Sequence, residues 1–528
     1  MEFLSVFNDV LGPVMPGPSS SHTAGSYRLG RLARSLLGGS PRRAVITFDP
    51  GGSYGRVYRA QGVDLGFAAG LLGWSLTDRR FSRAASSARR LGLDLSFRVA
   101  SLPRADHPNF ALLRLGALRG HELDLEGESV GGGAVRLTRC DGWPVDLDGK
   151  SYVILIEVSN GGASAVRRFL ARRLPRGAHL VGRKRGPRVL VEVQSPSPLP
   201  PQTLAGLGSL AGVGSLRTAD PVFFLEKGQP LFQSAADIVR LSRSGRVSLG
   251  RLGLAYEAGV LGLGEKEVLD EMVRRYEVMV GSVRRGLSGR GLRLKLLAPS
   301  AARVLEADSR GRLAVGGLPA RAAARALAVM HVANSGGTVC AAPTGGSAGV
   351  LPAAVMTLAE DRGSSPEEVA RGLFAASAVG LVVARRATFA AETAGCQVEI
   401  GAAGAMASAA VMDMVGGTAA QACDAAAISL QNTMGSVCDL VQGLCEIPCH
   451  TRNAAAAASA YLCADLVLGG YRNPIPLDET IDASFASGRM LPAELRCTAR
   501  GGLALAPSAR ALNRRRSRPA RSRRSPRA

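Results

Sequence analysis

Three cysteines stand in settings that suit chemistry: Cys396 in Ala394-Gly395-Cys396-Gln397, Cys438 in Val437-Cys438-Asp439, and Cys449 in Ile447-Pro448-Cys449. Each is flanked by residues that break or end helices, so each thiolate can project from a turn into a pocket. Three thiolates can hold three irons of a 4Fe-4S cluster and leave the fourth iron open as a Lewis acid. Their spacing matches neither a zinc ribbon nor the close runs of ferredoxins, so buried thiols in a small-residue core are the other reading at this point. The chain has nine cysteines, six of them between Cys396 and Cys463, a clustering that suits a metal or redox site better than structural disulfides. Cys340, Cys423, Cys445 and Cys463 lie on apolar helix-like stretches and read as core residues.

Two loops concentrate hydroxyls and glycines. Gly17 to Gly25 brings Ser19, Ser20, Ser21 and Thr23 together before a helix-like stretch, where a helix N-terminus favours an anion such as a carboxylate. His22 in that loop is either an acid/base or carboxylate-binding group or simply an exposed histidine. Ala341 to Gly349, with Thr344, Gly345, Gly346 and Ser347, is a second such loop; it lacks the Gly-Lys-Ser/Thr end of a phosphate loop, which argues against nucleotide binding. Pyridoxal phosphate needs a Schiff-base lysine, and none of Lys150, Lys184, Lys227, Lys266 and Lys295 sits on a convincing loop in the C-terminal half, so that cofactor is not expected. There is neither a Gly-x-Ser-x-Gly elbow nor a His-Glu-x-x-His helix.

The elements that must position these residues fall into a multidomain α+β chain. With 528 residues, 46% hydrophobic and 20% charged, a disulfide-stapled peptide and wholesale disorder are both excluded. Residues 1–148 alternate β-branched runs such as Ala44 to Phe48 with helical stretches such as Tyr27 to Leu37, which predicts an α/β domain. Residues 150–222 give strands Tyr152 to Val158, Leu180 to Arg183, Val189 to Val193 and Gly214 to Thr218. Helices Ala163 to Arg173 and Leu204 to Leu210 complete a βαββαβ order. Residues 228–508 have helix-period segments and predict an all-α catalytic body. The net charge of +23 comes from 60 arginines and five lysines, a skew that looks like codon bias. With two Trp and eight Tyr there is no aromatic interleaving for base stacking, and no specific nucleic-acid partner is expected. Nine arginines fall between Arg510 and Ala528 without an acid, so residues 509–528 read as a disordered tail, either merely solvated or an electrostatic arm. Met1-Glu2-Phe3-Leu4 lacks a basic n-region and no apolar run reaches the ~18 residues of a spanning helix, which predicts a cytoplasmic protein with no membrane partner.

The ordered stretches resemble the iron-sulfur L-serine dehydratases (L-serine ammonia-lyases) of bacteria, as a single chain with the beta and alpha parts fused. The resemblance is carried by Gly17 to Gly25, Asp106-His107-Pro108-Asn109, Ser129 to Gly133, Ala341 to Gly349, Gly395 to Gly401 and Val437-Cys438-Asp439. Glu446 to Cys449 with Arg452-Asn453, Leu491 to Arg496 and Gly501 to Leu503 complete it. The βαββαβ order and the Glu157 to Gly162 turn resemble the ACT family of amino-acid-sensing domains, a plain spacer being the alternative.

What the resemblance implies is deamination of L-serine to pyruvate and ammonia at a 4Fe-4S cluster held by Cys396, Cys438 and Cys449. The open iron would take the serine hydroxyl while a base removes the Cα proton, His22 and His107 being the candidates. Ser19, Ser20, Ser21, His22 and Thr23 would hold the carboxylate, with Asn109 beside them, and the Thr344, Gly345, Gly346 and Ser347 loop would line the cluster pocket. Such a site lies where the two halves meet, within one chain or across a homodimer. Two departures stand out: Gln61 replaces a histidine usual in the family, and Leu440 replaces the proline of Cys-Asp-Pro. The rival readings are a lyase on another small amino acid such as L-cysteine and a non-catalytic amino-acid-binding homologue.

Overall fold

The computed structural model describes residues 4–117, 120 and 122–516. Its strands are β1 (Val14–Pro16), β2 (Arg43–Phe48), β3 (Asp94–Val99), β4 (Phe110–Gly116), β5 (Glu122–Gly131), β6 (Ala134–Cys140) and β7 (Trp143–Leu147). β8 (Tyr152–Ser159), β9 (His179–Arg185), β10 (Arg188–Ser195), β11 (Val213–Ala219) and β12 (Thr338–Cys340) follow. The first sheet has the order β3-β2-β4-β5-β6-β7. Only β2 and β3 run parallel; the other neighbours are antiparallel. The expected α/β domain is therefore corrected to an α+β one. The alternation of strand and helix holds only as far as β3, after which β4 to β7 follow one another through short connections that favour antiparallel pairing.

The second sheet, β11-β8-β10-β9, is antiparallel throughout and its element order is the βαββαβ expected from the sequence. Strand β8 is buried on both faces, and its period of two explains how. Ile154, Ile156 and Val158 pack with Val166, Leu170 and Leu207 of helices Ala163–Ala171 and Pro201–Gly208, whereas Val153 and Leu155 join the core of the first sheet.

Among the described residues from Ala235 onward the one strand is β12, so the expected all-α body carries one short strand. Capping is explicit: Ser365 and Glu368 form a reciprocal box at the start of helix Pro366–Arg386, with Pro366 in the first turn. Ala402, Ala403, Ala405, Ala407, Ala409 and Ala410 of helix Ile400–Met414 are all buried, small residues that let neighbouring helices approach closely.

Residues 5–17 belong to this helical body. The Glu257 carboxylate accepts the Ser5 hydroxyl and the Val6 and Phe7 amides. β1 pairs with β12, and a Cβ on Gly17 would lie 2.4 Å from the Ala333 carbonyl oxygen, so only glycine fits. At the other end, the expected tail is ordered further than residue 509: Pro507 opens a helix that runs to Arg516, with Ala509 buried and its carbonyl held by Gln442. Proline at the first helical position and this packing explain the extension. Residues 517–528 lie outside the described residues. No helix among the described residues is long and apolar enough to cross a membrane.

Candidate metal and substrate site

Local structure presents each of the three cysteines from an element end. Cys396 follows Gly395, whose φ of +75° turns the chain, and its amide donates to Ser436 O at 2.9 Å. Cys438 lies on an extended segment whose amide donates to Leu495 O at 2.8 Å. Cys449 opens helix Cys449–Leu468 directly after Pro448. The stretch before it is pinned by Glu446, whose carboxylate accepts the amides of Lys295, Leu296 and Leu297 at 2.6–2.8 Å.

All nine cysteines are free and buried. The Cys438 thiol hydrogen-bonds to Cys396 and to Cys497, which with burial pushes it well above the ordinary thiol range. Cys445 does the same with Cys449. Cys396, Glu399 and Cys438 each bring one ligand atom to within 4.8 Å of the others. Arg452 adds positive charge, with Nη1 3.6 Å from Cys396 Sγ and Nη2 3.0 Å from Asp439. Thiol donors crowded together beside a guanidinium fit a thiolate-bound iron-sulfur cluster, because crowded thiols are costly to ionise until a cation holds them. Cys340, Cys423 and Cys463 sit in the helical core as expected. Cys445 lies in the same core and also sets its thiol against Cys449.

The serine loop forms a buried turn, Ser20–Ala24, that runs into helix Gly25–Leu36. His22 is engaged at both ring nitrogens: Nδ1 lies 2.9 Å from Ser19 Oγ and Nε2 2.9 Å from Ser53 Oγ. Ser21 donates to Glu392 at 2.5 Å, and Asn109 Nδ2 donates to the same oxygen at 2.8 Å. Burial lowers the pKa of His22 against the opposing pull of Glu392, 3.8 Å away. Burial works to raise that of Glu392, but His22 and the Ser21 and Asn109 hydrogen bonds outweigh it, so the carboxyl stays ionised. Asn109 Oδ1 is buried without a partner. Thr23 has a local role, donating to Gln61 O at 2.9 Å.

The second loop meets the first. Gly345 N donates to Ser20 Oγ at 3.3 Å, and Thr344 Oγ1 donates to Glu399 at 2.5 Å while contacting Ser347 at 3.0 Å. Asn453 holds the loop to the Cys449 helix by donating to Gly346 O and accepting from Gly349 N. Burial pushes Glu399 up to about 7 against the pull of Thr344. The contacts thus run unbroken from Cys396 through Glu399 and Thr344 to the serine loop. His107 turns to its own surroundings: its Nδ1 accepts the Asn109 amide and its ring faces Glu128. Ser53, Glu392 and Cys497 were missed by sequence reasoning. Cys497 lies between two stretches that carry the resemblance, which was the available signal; Ser53 and Glu392 had none.

A site of clustered thiols facing a hydroxyl-lined loop is compatible with metal binding beside a small-molecule pocket. Residues 157–504 match the family described as serine dehydratase alpha chain, and the chain belongs to that family. It is 42% identical over 156 residues to the probable L-serine dehydratase beta chain of Bacillus subtilis (strain 168), covering 30% of this chain and 69% of that one. To the probable alpha chain of the same organism it is 36% identical over 282 residues, 53% of this chain and 94% of that one. L-serine dehydratase 2 of Escherichia coli (strain K12) is 33% identical over 282 residues, 52% and 61% of the two chains. The beta and alpha parts, separate chains in Bacillus, are here one polypeptide.

Proposed function

We propose that this protein is a lyase that converts L-serine to pyruvate and ammonia, with a 4Fe-4S cluster held by Cys396, Cys438 and Cys449. The observation that carries the reading is the unbroken run of contacts between the cysteines and the buried serine loop. When bound, the cluster supplies a Lewis acid that assists departure of the substrate hydroxyl.

The protein groups divide the remaining work. Ser20 Oγ accepts the Gly345 amide and keeps its own proton to donate to the substrate carboxylate, and Ser19, whose Oγ lies against His22 Nδ1, donates beside it. Asn109 Oδ1, an acceptor without a partner, receives the ammonium group. Ser21 has its hydrogen bond to Glu392, so it fixes that carboxylate rather than the substrate. Buried His22 accepts the Cα proton, and Glu392 stabilises the imidazolium that forms. His107 is turned toward Glu128, away from the serine loop contacts, and serves to hold the Asn109 turn. The aminoacrylate released then tautomerises and hydrolyses.

The test is pyruvate release from L-serine by protein reconstituted without oxygen, together with Cys396→Ser, Cys438→Ser and Cys449→Ser. Each substitution is expected to abolish the broad iron-sulfur absorbance, whereas Cys423→Ser in the helical core leaves it. Turnover of L-cysteine but not of L-serine would transfer the reading to the sulfide-eliminating rival. The same proposal takes residues 1–148 and 228–508 as the beta-type and catalytic domains of a cytoplasmic homodimer. It takes residues 150–222 as an ACT-like sensor, whose removal should change the activation kinetics.

A further inference from the structure

Among the described residues Arg28 is a buried cation without an ion-pair partner. It is 6% exposed, and its side chain makes one hydrogen bond to them, from Nη1 to Gly133 O at 2.7 Å. That leaves over the Nε and Nη2 edge, the pair of N–H groups that grips a carboxylate with two parallel hydrogen bonds. The guanidinium is held in place over the Phe223 ring, with Cζ 3.9 Å from the centroid.

Arg28 lines a cavity of about 350 Å³ that forms where distant segments meet. Phe7 comes from the stretch before β1, Phe223 and Phe224 from the connection between β11 and the helical body, and Glu271 and Arg275 from helix Glu265–Ser288. Asn8 and Phe224 bond reciprocally, Nδ2 to the Phe224 carbonyl at 2.9 Å and the Phe224 amide to Oδ1 at 2.8 Å, so the walls are built without a ligand.

The charge on this cavity is unbalanced. Arg275 lies over the Phe7 ring at 4.5 Å and bonds Glu271 through Nε at 3.0 Å, but Glu271 also takes Arg274 at 2.8 Å. Asp9, which acts on Arg28 from further off, is engaged by Lys150 at 3.2 Å and by the Ser5 amide at 2.8 Å. Burial chiefly, with the Arg275 charge, pulls the Arg28 pKa down to about 10 against the pull of Asp9, so the guanidinium is charged at neutral pH in a place that disfavours charge. A bound anion relieves that cost.

We propose that this cavity is a binding site for a small monocarboxylate with an apolar tail, its carboxylate on the free edge of Arg28 and its tail among Phe7, Phe223 and Phe224. Aromatic walls with a few placed polar groups, at a junction of domains, are the usual form of a small-molecule site. Glu271 and Asn8, both engaged, offer nothing to an ammonium group, which favours a plain carboxylate over an amino acid such as L-serine. None of the cysteines or serine-loop residues lines the cavity, and the proposal stands apart from the iron-sulfur reading. Occupied, the site clamps the stretch before β1 to the connection at 222–224.

The experiment titrates the full-length protein calorimetrically with phenylacetate, and with acetate and benzyl alcohol as its two halves. Phenylacetate should bind at a single site per chain, and each half at least about tenfold more weakly. Arg28→Leu should weaken phenylacetate binding by roughly tenfold or more, and Arg28→Lys, which keeps the charge but not the two-pronged edge, should fall between. Amides of residues 7–11 and 222–224 should exchange with deuterium more slowly when phenylacetate is present. Ser20→Ala should bind as wild type does, and equal far-ultraviolet dichroism of the variants excludes misfolding as the cause. Unchanged affinity in both Arg28 variants, or no binding to wild type at about 10 mM, overturns the proposal. So does loss of binding in Ser20→Ala alone, which would put the probe in the serine loop.

Discussion

Glu446→Gln tests how the turn bearing Cys445 and Cys449 is held. Glu446 is 1% exposed; Oε1 accepts the Lys295 amide at 2.6 Å, and Oε2 accepts those of Leu296 and Leu297 at 2.8 Å. Glutamine has one acceptor oxygen. Its best placement keeps the Leu296 and Leu297 bonds and turns the NH2 group toward the Lys295 amide, donor against donor. Losing one charge-assisted bond costs about 1.5–3 kcal/mol, and burying the facing donors adds about 1–3 kcal/mol, so the local cost is about 2.5–6 kcal/mol. Amides of residues 295–297 should then exchange with deuterium about a hundredfold faster or more, since that free energy is lost from the opening equilibrium. Iron retained per chain after reconstitution should fall with it, because Cys449 is presented from the same turn. Exchange within about threefold of wild type, with iron content unchanged, would show that the carboxylate does not brace the turn and would refute the reasoning.

Ser21→Ala removes the 2.5 Å hydrogen bond to Glu392; a charge-assisted bond of about 1.5–3 kcal/mol should appear as a ten- to hundredfold loss, roughly, in kcat/KM for L-serine, read by steady-state pyruvate formation. His331, packed against His450 at 5.2 Å between ring centroids, has its pKa pushed down to about 4 by burial. Its folded form therefore binds fewer protons than the unfolded chain below pH 6.5, so stability falls as pH drops from 6.5 toward 4. Denaturation midpoints across that range should fall less steeply in His331→Asn. Gln61→His places an imidazole beside Cys497, where the chain has an amide with an unpartnered Oε1; kcat should rise and acquire a limb that titrates near the histidine range, and an unchanged pH profile would show that proton transfer does not pass through this position.

The parts legible in the sequence are those whose signal is local. Strand β8 runs one residue beyond its expected end at Val158, and the βαββαβ order was readable because buried alternation and a Pro-rich break mark it. The three cysteines and both hydroxyl loops could be picked out by their turn-forming neighbours. What was not legible depends on contacts between distant segments. β1 and β12 are three residues each, too short for any period to show, and their pairing joins Val14 to Cys340. The antiparallel run from β4 to β7 was hidden because β-branched strands look alike whichever way a neighbour runs. Glu392 and Ser53 are an ordinary glutamate and serine at the starts of short helices until folding sets them against Ser21 and His22.

The pairing of β1 with β12 has a consequence for how the chain is made. Val6, Phe7, Val10 and Leu11 leave the ribosome early, yet the Ala353 to Val383 helices that share their core, and the Cys340 strand that pairs with Val14, are synthesised more than three hundred residues later. At ~5–20 residues per second the arm waits roughly 15–65 s without its docking surface, and the first sheet has long been complete by then. Docking of this arm thus waits on a segment made much later, a step in which a holdase that shields nascent apolar segments would raise the yield of native protein.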